Sequence, residues 1–170
     1  NAGTQAFSSM GSLALTGTDS ANYTLTGAGG NVSINQAALT ITAQTNTKTY
    51  DGTITAAAAP IVTGLQTGDS VTGATEAYAD KNAGSNKTLS VTAYTVNDGN
   101  SGNNYTVSTV DNTAGTINPA SLTITAQPNT KTYDGTNTAA ATPTITSGNL
   151  AGGDTAVLAE TYDNQYIGTG

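Results

Sequence analysis

Four residue types are missing from the chain: cysteine, histidine, arginine and tryptophan. Without Cys there is no disulfide and no thiol nucleophile. Without His or Cys, the catalytic triads and zinc sites built on them are excluded. Charge is scarce as well: charged residues are 9% of the total, against roughly 25% in ordinary domains. With 4 Lys and a net charge of −7, little is available to neutralise phosphates, so no nucleic-acid partner is expected. Anionic membrane surfaces are disfavoured for the same reason. No run of about 18 apolar residues is present, so no membrane insertion is expected. The opening residues carry no signal-peptide pattern, and Asn1 is read as an internal start.

What remains is dominated by Thr, Ala, Gly, Asn and Ser, with 36% hydrophobic residues and 20 Gly. A core would be built from Val, Ile, Leu, Ala and a few Tyr. Such side chains bury little area each, so stability should come from many hydrogen-bonded strands spread over several modules.

The chain repeats itself. "ALTITAQTNTKTYDGTITAAAAP" (38–60) and "SLTITAQPNTKTYDGTNTAAATP" (121–143) are largely identical at an offset of 83 residues. "NYTL" (22–25) answers "NYTV" (104–107), Asn1-Ala2-Gly3 answers Asn82-Ala83-Gly84, and Tyr78 answers Tyr162. The offset drifts by one residue at a time, and the drift falls where Gly, Asn and Asp are dense, as in "TGLQTGDS" against "TSGNLAGGDT". Loops tolerate such insertions and strands do not. Residues 38–120 therefore read as one complete repeat. Residues 1–37 read as the C-terminal half of a preceding repeat, and 121–170 as the N-terminal half of the next.

Within the complete repeat, short runs alternate in polarity. "LTITA" (39–43) puts Leu39, Ile41 and Ala43 on one side. "KTLSVTAYTV" (87–96) does so with Leu89, Val91 and Ala93, and "YTVSTV" (105–110) with Tyr105 and Val107. Thr- and Val-rich alternation predicts half-buried strands. The Ala run 56–59, closed by Pro60, is read as one more strand. About seven strands with a turn every 8–12 residues predict an all-β fold: tandem immunoglobulin-like antiparallel β-sandwich repeats of about 83 residues. "INPASLTIT" (117–125) joins two repeats without a flexible linker, and Pro119 stiffens the junction.

The most conspicuous motif is "TKTYDGT" (47–53), which returns inside "NTKTYDGT" (129–136). Asp51-Gly52 suits a tight turn, because Gly accepts positive φ and Asp accepts hydrogen bonds from nearby N–H groups. Tyr50 is expected to pack beneath the turn and give its hydroxyl to a backbone partner. A calcium role for Asp51, Asp69, Asp80, Asp98 or Asp111 would need six to eight converging oxygens. These acids are scattered singly. Glu76 with Asp80 forms the one arguable carboxylate pair, and Glu160 repeats Glu76; solvated turns account for them better than glycoside hydrolysis. "GAGG" (27–30) lacks the Lys and helix of a phosphate cradle. Lys48 and Lys131 share strand parity with the neighbouring Tyr. They could serve in a Lys–Asn cross-link, which would release one ammonia per repeat; the simpler reading is a Lys stem lying along the sheet edge. Sequons stand at Asn22, Asn31, Asn86 and Asn104, and an Asn- and Thr-rich chain makes them by chance. No catalytic residue, cofactor or metal site is expected.

"LTITAQTNTKTYDGT", followed by "NYTVSTVDNTAGTIN", resembles the YDG repeat of bacterial surface adhesins, found in filamentous-haemagglutinin-like and other fibrous secreted proteins. The resemblance covers nearly the whole chain. It implies an extracellular, cell-surface stalk or spacer whose partners are neighbouring repeats of the same protein, with the binding tip elsewhere. Two other expectations stand beside it. One is a carbohydrate-binding module using Tyr94 or Tyr166, the two Tyr without repeat equivalents. The other is strand complementation between half-repeats of separate copies, head to tail, which would make a filament.

Overall fold

The computed structural model describes residues 1–6, 16–23 and 30–168. Part of "NYTL" and most of "GAGG" lie outside the described residues. The described chain is built from strands: β1 (Gly3–Ala6), β2 (Asn31–Ile34), β3 (Ala37–Thr42), β4 (Thr47–Thr49), β5 (Ile61–Thr63), β6 (Ser70–Tyr78), β7 (Gly84–Asn97), β8 (Tyr105–Val110), β9 (Asn112–Asn118), β10 (Thr123–Thr125) and β11 (Thr144–Ser147). A single 3-10 turn, Ser20–Asn22, is the other regular element among the described residues. The fold is thus all-β, and among the described residues no helix is long and apolar enough to cross a membrane.

The chain divides into two compact units. One takes residues 1–44, 59–76 and 91–111; the other takes 45–58, 77–90 and 112–170. The first contains the three-stranded sheet β5-β3-β8 and the antiparallel pair β1-β2. The second contains β4, β9 and the pair β10-β11. A four-stranded sheet runs in the order β4-β9-β7-β6, with β6 and β7 contributing residues to both units.

The expectation of purely antiparallel pairing is corrected. β3 pairs with β8 in parallel, Leu39 opposite Val107 and Ile41 opposite Thr109. β4 pairs with β9 in parallel, Lys48 opposite Ile117. Each pair joins a strand from the start of the repeat to one from its end. More than enough chain lies between them for the crossover that parallel strands need. The Ala run is corrected too. Residues 56–60 are not strand, and only Thr55 forms an isolated bridge, to Ala77. Ala methyls offer little to pack, and Pro60 has no N–H for a ladder.

Period-two alternation is realised most cleanly in β3. Leu39, Ile41 and, just past its end, Ala43 are fully buried while Thr40 and Thr42 are half-buried. Leu89 of β7, Ile117 of β9, Tyr78 and Tyr105 complete the buried set. Along β7 the inward face loses cover after Leu89, for Val91 is half-buried and Ala93 exposed.

The partial repeats reuse the same pairings. Gly3 opposite Ile34 in β1–β2 is the equivalent of Gly84 opposite Ile117 in β7–β9. Ile124 opposite Ile145 in β10–β11 is the equivalent of Ile41 opposite Val62 in β3–β5. One of the single-residue insertions lies at the end of β11, where the register slips between Thr123 and Ile124. The burial differs, however: Leu122 is 38% and Ile124 50% exposed, although their equivalents Leu39 and Ile41 are at 0%. In the complete repeat β3 lies between β5 and β8, whereas among the described residues β10 is paired with β11 alone.

That asymmetry predicts unequal mutational costs. Leu39→Ala should lower stability by about 2–5 kcal/mol, the usual range for a buried Leu, and Leu122→Ala by roughly 0.5 kcal/mol, as at an exposed site. Urea unfolding of the two variants checks this, and equal losses would refute the assignment of the core.

Candidate functional site

The YDG turn is held by its lysine. Lys48 leaves β4 with its side chain only 15% exposed. Its Nζ donates to Asp51 Oδ1 at 2.8 Å, to the Thr53 carbonyl at 2.8 Å and to Thr53 Oγ1 at 3.0 Å. An ammonium has three donors, so all are used. Asp51 Oδ1 also accepts from the Thr53 N–H at 2.9 Å and the Thr53 hydroxyl at 2.8 Å. The Thr53 hydroxyl lies 2.8 Å from that of Thr55. The same Nζ stands 5.5 Å from the centroid of the Tyr78 ring, close enough for a cation–π contact.

The second copy is built the same way. Lys131 Nζ donates to Asp134 Oδ1, the Thr136 carbonyl and Thr136 Oγ1 at 2.8, 2.7 and 2.9 Å. It stands 5.7 Å from the Tyr162 ring. Lys131 forms this clamp although residues 130–132 are not strand. The turn is therefore a local device, independent of the sheet around it. Its Thr-x-Thr step at 53–55 and 136–138 was legible in the repeat but had no role assigned from sequence.

A second repeated feature is a carboxylate drawn out of water: Glu76, read from sequence as a solvated turn residue, instead lies buried in β6, and Glu160 is half-buried. Glu76 Oε2 accepts the Gln44 N–H at 2.7 Å, and Glu160 Oε2 accepts the Gln127 N–H at 2.8 Å. Each ties β6, or its equivalent, to the chain leaving the first strand of the repeat. Glu76 and Asp80 therefore serve different partners, since Asp80 takes Lys87 Nζ at 2.6 Å and the Asn82 N–H at 2.8 Å.

The other calcium candidates are similarly occupied. Asp98 accepts backbone N–H groups from Asn100, Gly102 and Asn104. Those donors hold its carboxyl below the usual range even though desolvation, the largest single influence, pushes the other way. Asp69 accepts the Tyr105 hydroxyl, and this raises the Tyr105 pKa. Asp111 is exposed. Among the described residues no three acidic groups converge as a metal site would require. Lys48 is engaged by Asp51 and Thr53, while Asn46 Oδ1 accepts the Tyr78 hydroxyl at 3.3 Å. Of the sequons, Asn22, Asn31 and Asn86 are exposed; Asn104 gives its amide to the Asp98 carbonyl at 3.3 Å.

Tyr50 departs from expectation. Its hydroxyl reaches no backbone group but donates to Asp154 Oδ2 at 2.8 Å, 104 residues further on. Asp154 also lies 3.8 Å from Lys81. A carboxylate acceptor was available here, and it is stronger than a carbonyl. Its repeat counterpart Tyr133 is 59% exposed. Tyr94 and Tyr166, singled out for lacking equivalents, are also exposed. Tyr94 borders an open groove of about 780 Å³ along the Asp98 loop.

The lysine clamp sets an acid dependence. The hydrogen bond from Lys48, helped by the Thr53 N–H and hydroxyl, lowers Asp51 from 3.8 to about 2, and Lys131 with Thr136 does the same for Asp134. The folded pKa lies below the unfolded one, so this contribution is complete above the unfolded value and is lost as pH falls towards about 2. Replacing both by Asn should flatten the fall of the unfolding midpoint with acid. An unchanged slope would show that the clamp does not sense charge.

Searches of curated proteins and of solved structures return no match to this chain. The model of one family does match, over residues 35–114 and again over 118–170, and its description is "YDG domain". With most of its length covered by two successive matches, this chain belongs to the YDG domain family.

Proposed function

We propose that the chain is part of a spacer: a run of YDG repeats in an extracellular bacterial adhesin or surface fibre that projects a binding tip from the cell. The observation that carries this reading is the twice-built turn. Two repeats 83 residues apart reproduce one clamp, with the same donors and acceptors at nearly the same distances. What is reproduced is a means of fixing backbone, which suits a module whose value lies in being stacked. We take each full repeat to be an immunoglobulin-like sandwich, a reading supported by strands that bury one side only, as in β3. Charge argues against a nucleic-acid partner, because each of the four lysines already stands within 3.8 Å of an aspartate.

An antibody against residues 35–118 should label intact cells of the producing organism, and the purified chain should retain nothing on a glycan array. Labelling only after permeabilisation would overturn the spacer reading. Saccharide retention abolished by Tyr94→Ala would replace it with a carbohydrate-binding role at the groove.

A second reading, self-association by strand complementation, is favoured by one buried atom. Among the described residues the Tyr162 hydroxyl has no hydrogen-bond partner. In the complete repeat, the equivalent Tyr78 hydroxyl lies 3.2 Å from the Thr116 carbonyl of β9, and the Asn46 carbonyl accepts the Thr116 N–H. A β9-like strand would offer the Tyr162 hydroxyl the same carbonyl beside Lys131. β2 is such a strand: all four of its residues are exposed. Sedimentation of the chain should then show concentration-dependent association that Ile34→Lys abolishes. A monomer at every concentration would remove this reading.

A further inference from the structure

The contacts of Tyr50 and Gly52 suggest what the repeated geometry of the turn is for. Gly52 has φ +78°, and a Cβ built on it would stand 2.8 Å from the Ala151 Cβ, too close for any side chain. Gly135 has the same φ, +78°, with no described atom within 4 Å of that position. The two glycines make the same turn, but only the first is pressed against another segment. That segment is the loop Asn149–Asp154 of the following repeat. It brings Ala151 onto Gly52 and Asp154 onto the Tyr50 hydroxyl. The loop is itself a closed turn, since the Asp154 N–H donates to the Ala151 carbonyl at 3.0 Å. Around this contact lies a small cavity of about 370 Å³, lined by Tyr50, Ala83, Pro119, Leu122, Leu150 and Asp154. All these residues fall in one compact unit, which joins the YDG end of the complete repeat to the repeat after it.

We propose that the YDG turn is the socket of an inter-repeat joint, and that its ligand is the 149–154 loop of the next YDG repeat. Tyr50 supplies a directional hydrogen bond to Asp154, and Gly52 supplies the flat backbone against which Ala151 seats. Lys81 Nζ stands 3.8 Å from Asp154 Oδ1 and adds a charge partner. Pro119 limits the conformations of the linker, so little freedom has to be lost when the loop docks. The raised pKa of Tyr50, caused first by the hydrogen bond to Asp154, is consistent with this geometry. The Asn-Ala-Gly segment in the second half of each repeat contributes as well. Ala83 lines the cavity at this joint, and its equivalent Ala2 donates its N–H to Asn104 Oδ1 at 2.7 Å. The joint deepens the spacer reading and rests on it for its biological purpose, although its geometry is testable apart from any function.

The test uses the whole chain with spin labels at Ser85→Cys in the complete repeat and Val157→Cys in the following one. The absence of native cysteine makes both labels unique. Dipolar spectroscopy should give a narrow distance distribution. Tyr50→Phe removes one oxygen and leaves the ring, and should raise the open population by roughly tenfold, the equivalent of one hydrogen bond to a carboxylate. Ala151→Leu, which wedges the loop off Gly52, should also lose the narrow peak and shift the mean. Tyr133→Phe should leave the distribution unchanged. Unaltered distributions in both Tyr50→Phe and Ala151→Leu would overturn the joint while leaving the spacer reading intact. Loss of surface labelling on cells would do the reverse.

Discussion

One ammonium group organises each repeat. Lys48 leaves β4, crosses beneath its own turn and spends every donor within five residues of itself, on Asp51 and Thr53. With its charge answered there, the side chain can lie over the Tyr78 ring with little exposure, where an unpaired cation would be costly. Tyr78 then reaches Asn46 and the Thr116 carbonyl, linking the turn to β9. Neither the side-chain packing at Tyr78 nor the orientation of Tyr50 would be fixed if the turn were free to open. Lysine, aspartate, glycine and threonine are thus tied together by one geometry, which explains why they travel together in the repeat.

The periodic architecture was legible because repeats are visible as identity, and because β3 alternates strictly between apolar residues and Thr. The mixed pairing was not legible. Parallel and antiparallel strands draw on the same alternating pattern, and nothing in "LTITA" names β8 as its neighbour. The Ala run misled because small apolar residues satisfy a strand pattern without offering the side-chain area that makes a strand pack. Asp51 was read correctly as a turn residue. The role of Glu76 went unseen, because a carboxylate that caps one buried N–H leaves no local signature. The partner of Tyr50 was likewise out of reach: Asp154 is more than a full period away, and its acidity is ordinary in sequence.

The contrast between the two copies of the turn separates intrinsic from contextual structure. The clamp at Lys131 forms without a flanking strand, so it follows from the local sequence. The burial of Leu39 and Ile41 is contextual, since Leu122 and Ile124 carry the same pattern and remain half-open. The sequence within one period therefore encodes turns on its own account and a core only through company.

The parallel pairing of β4 with β9 has a mechanical consequence. These strands lie near the two ends of the complete repeat and point the same way, with Thr47, Lys48 and Thr49 opposite Thr116, Ile117 and Asn118. Tension applied to the chain from its two ends drags them past each other lengthwise. The hydrogen bonds between them are then loaded together in shear rather than peeled one after another, and a short ladder so arranged resists pulling far better than its length suggests.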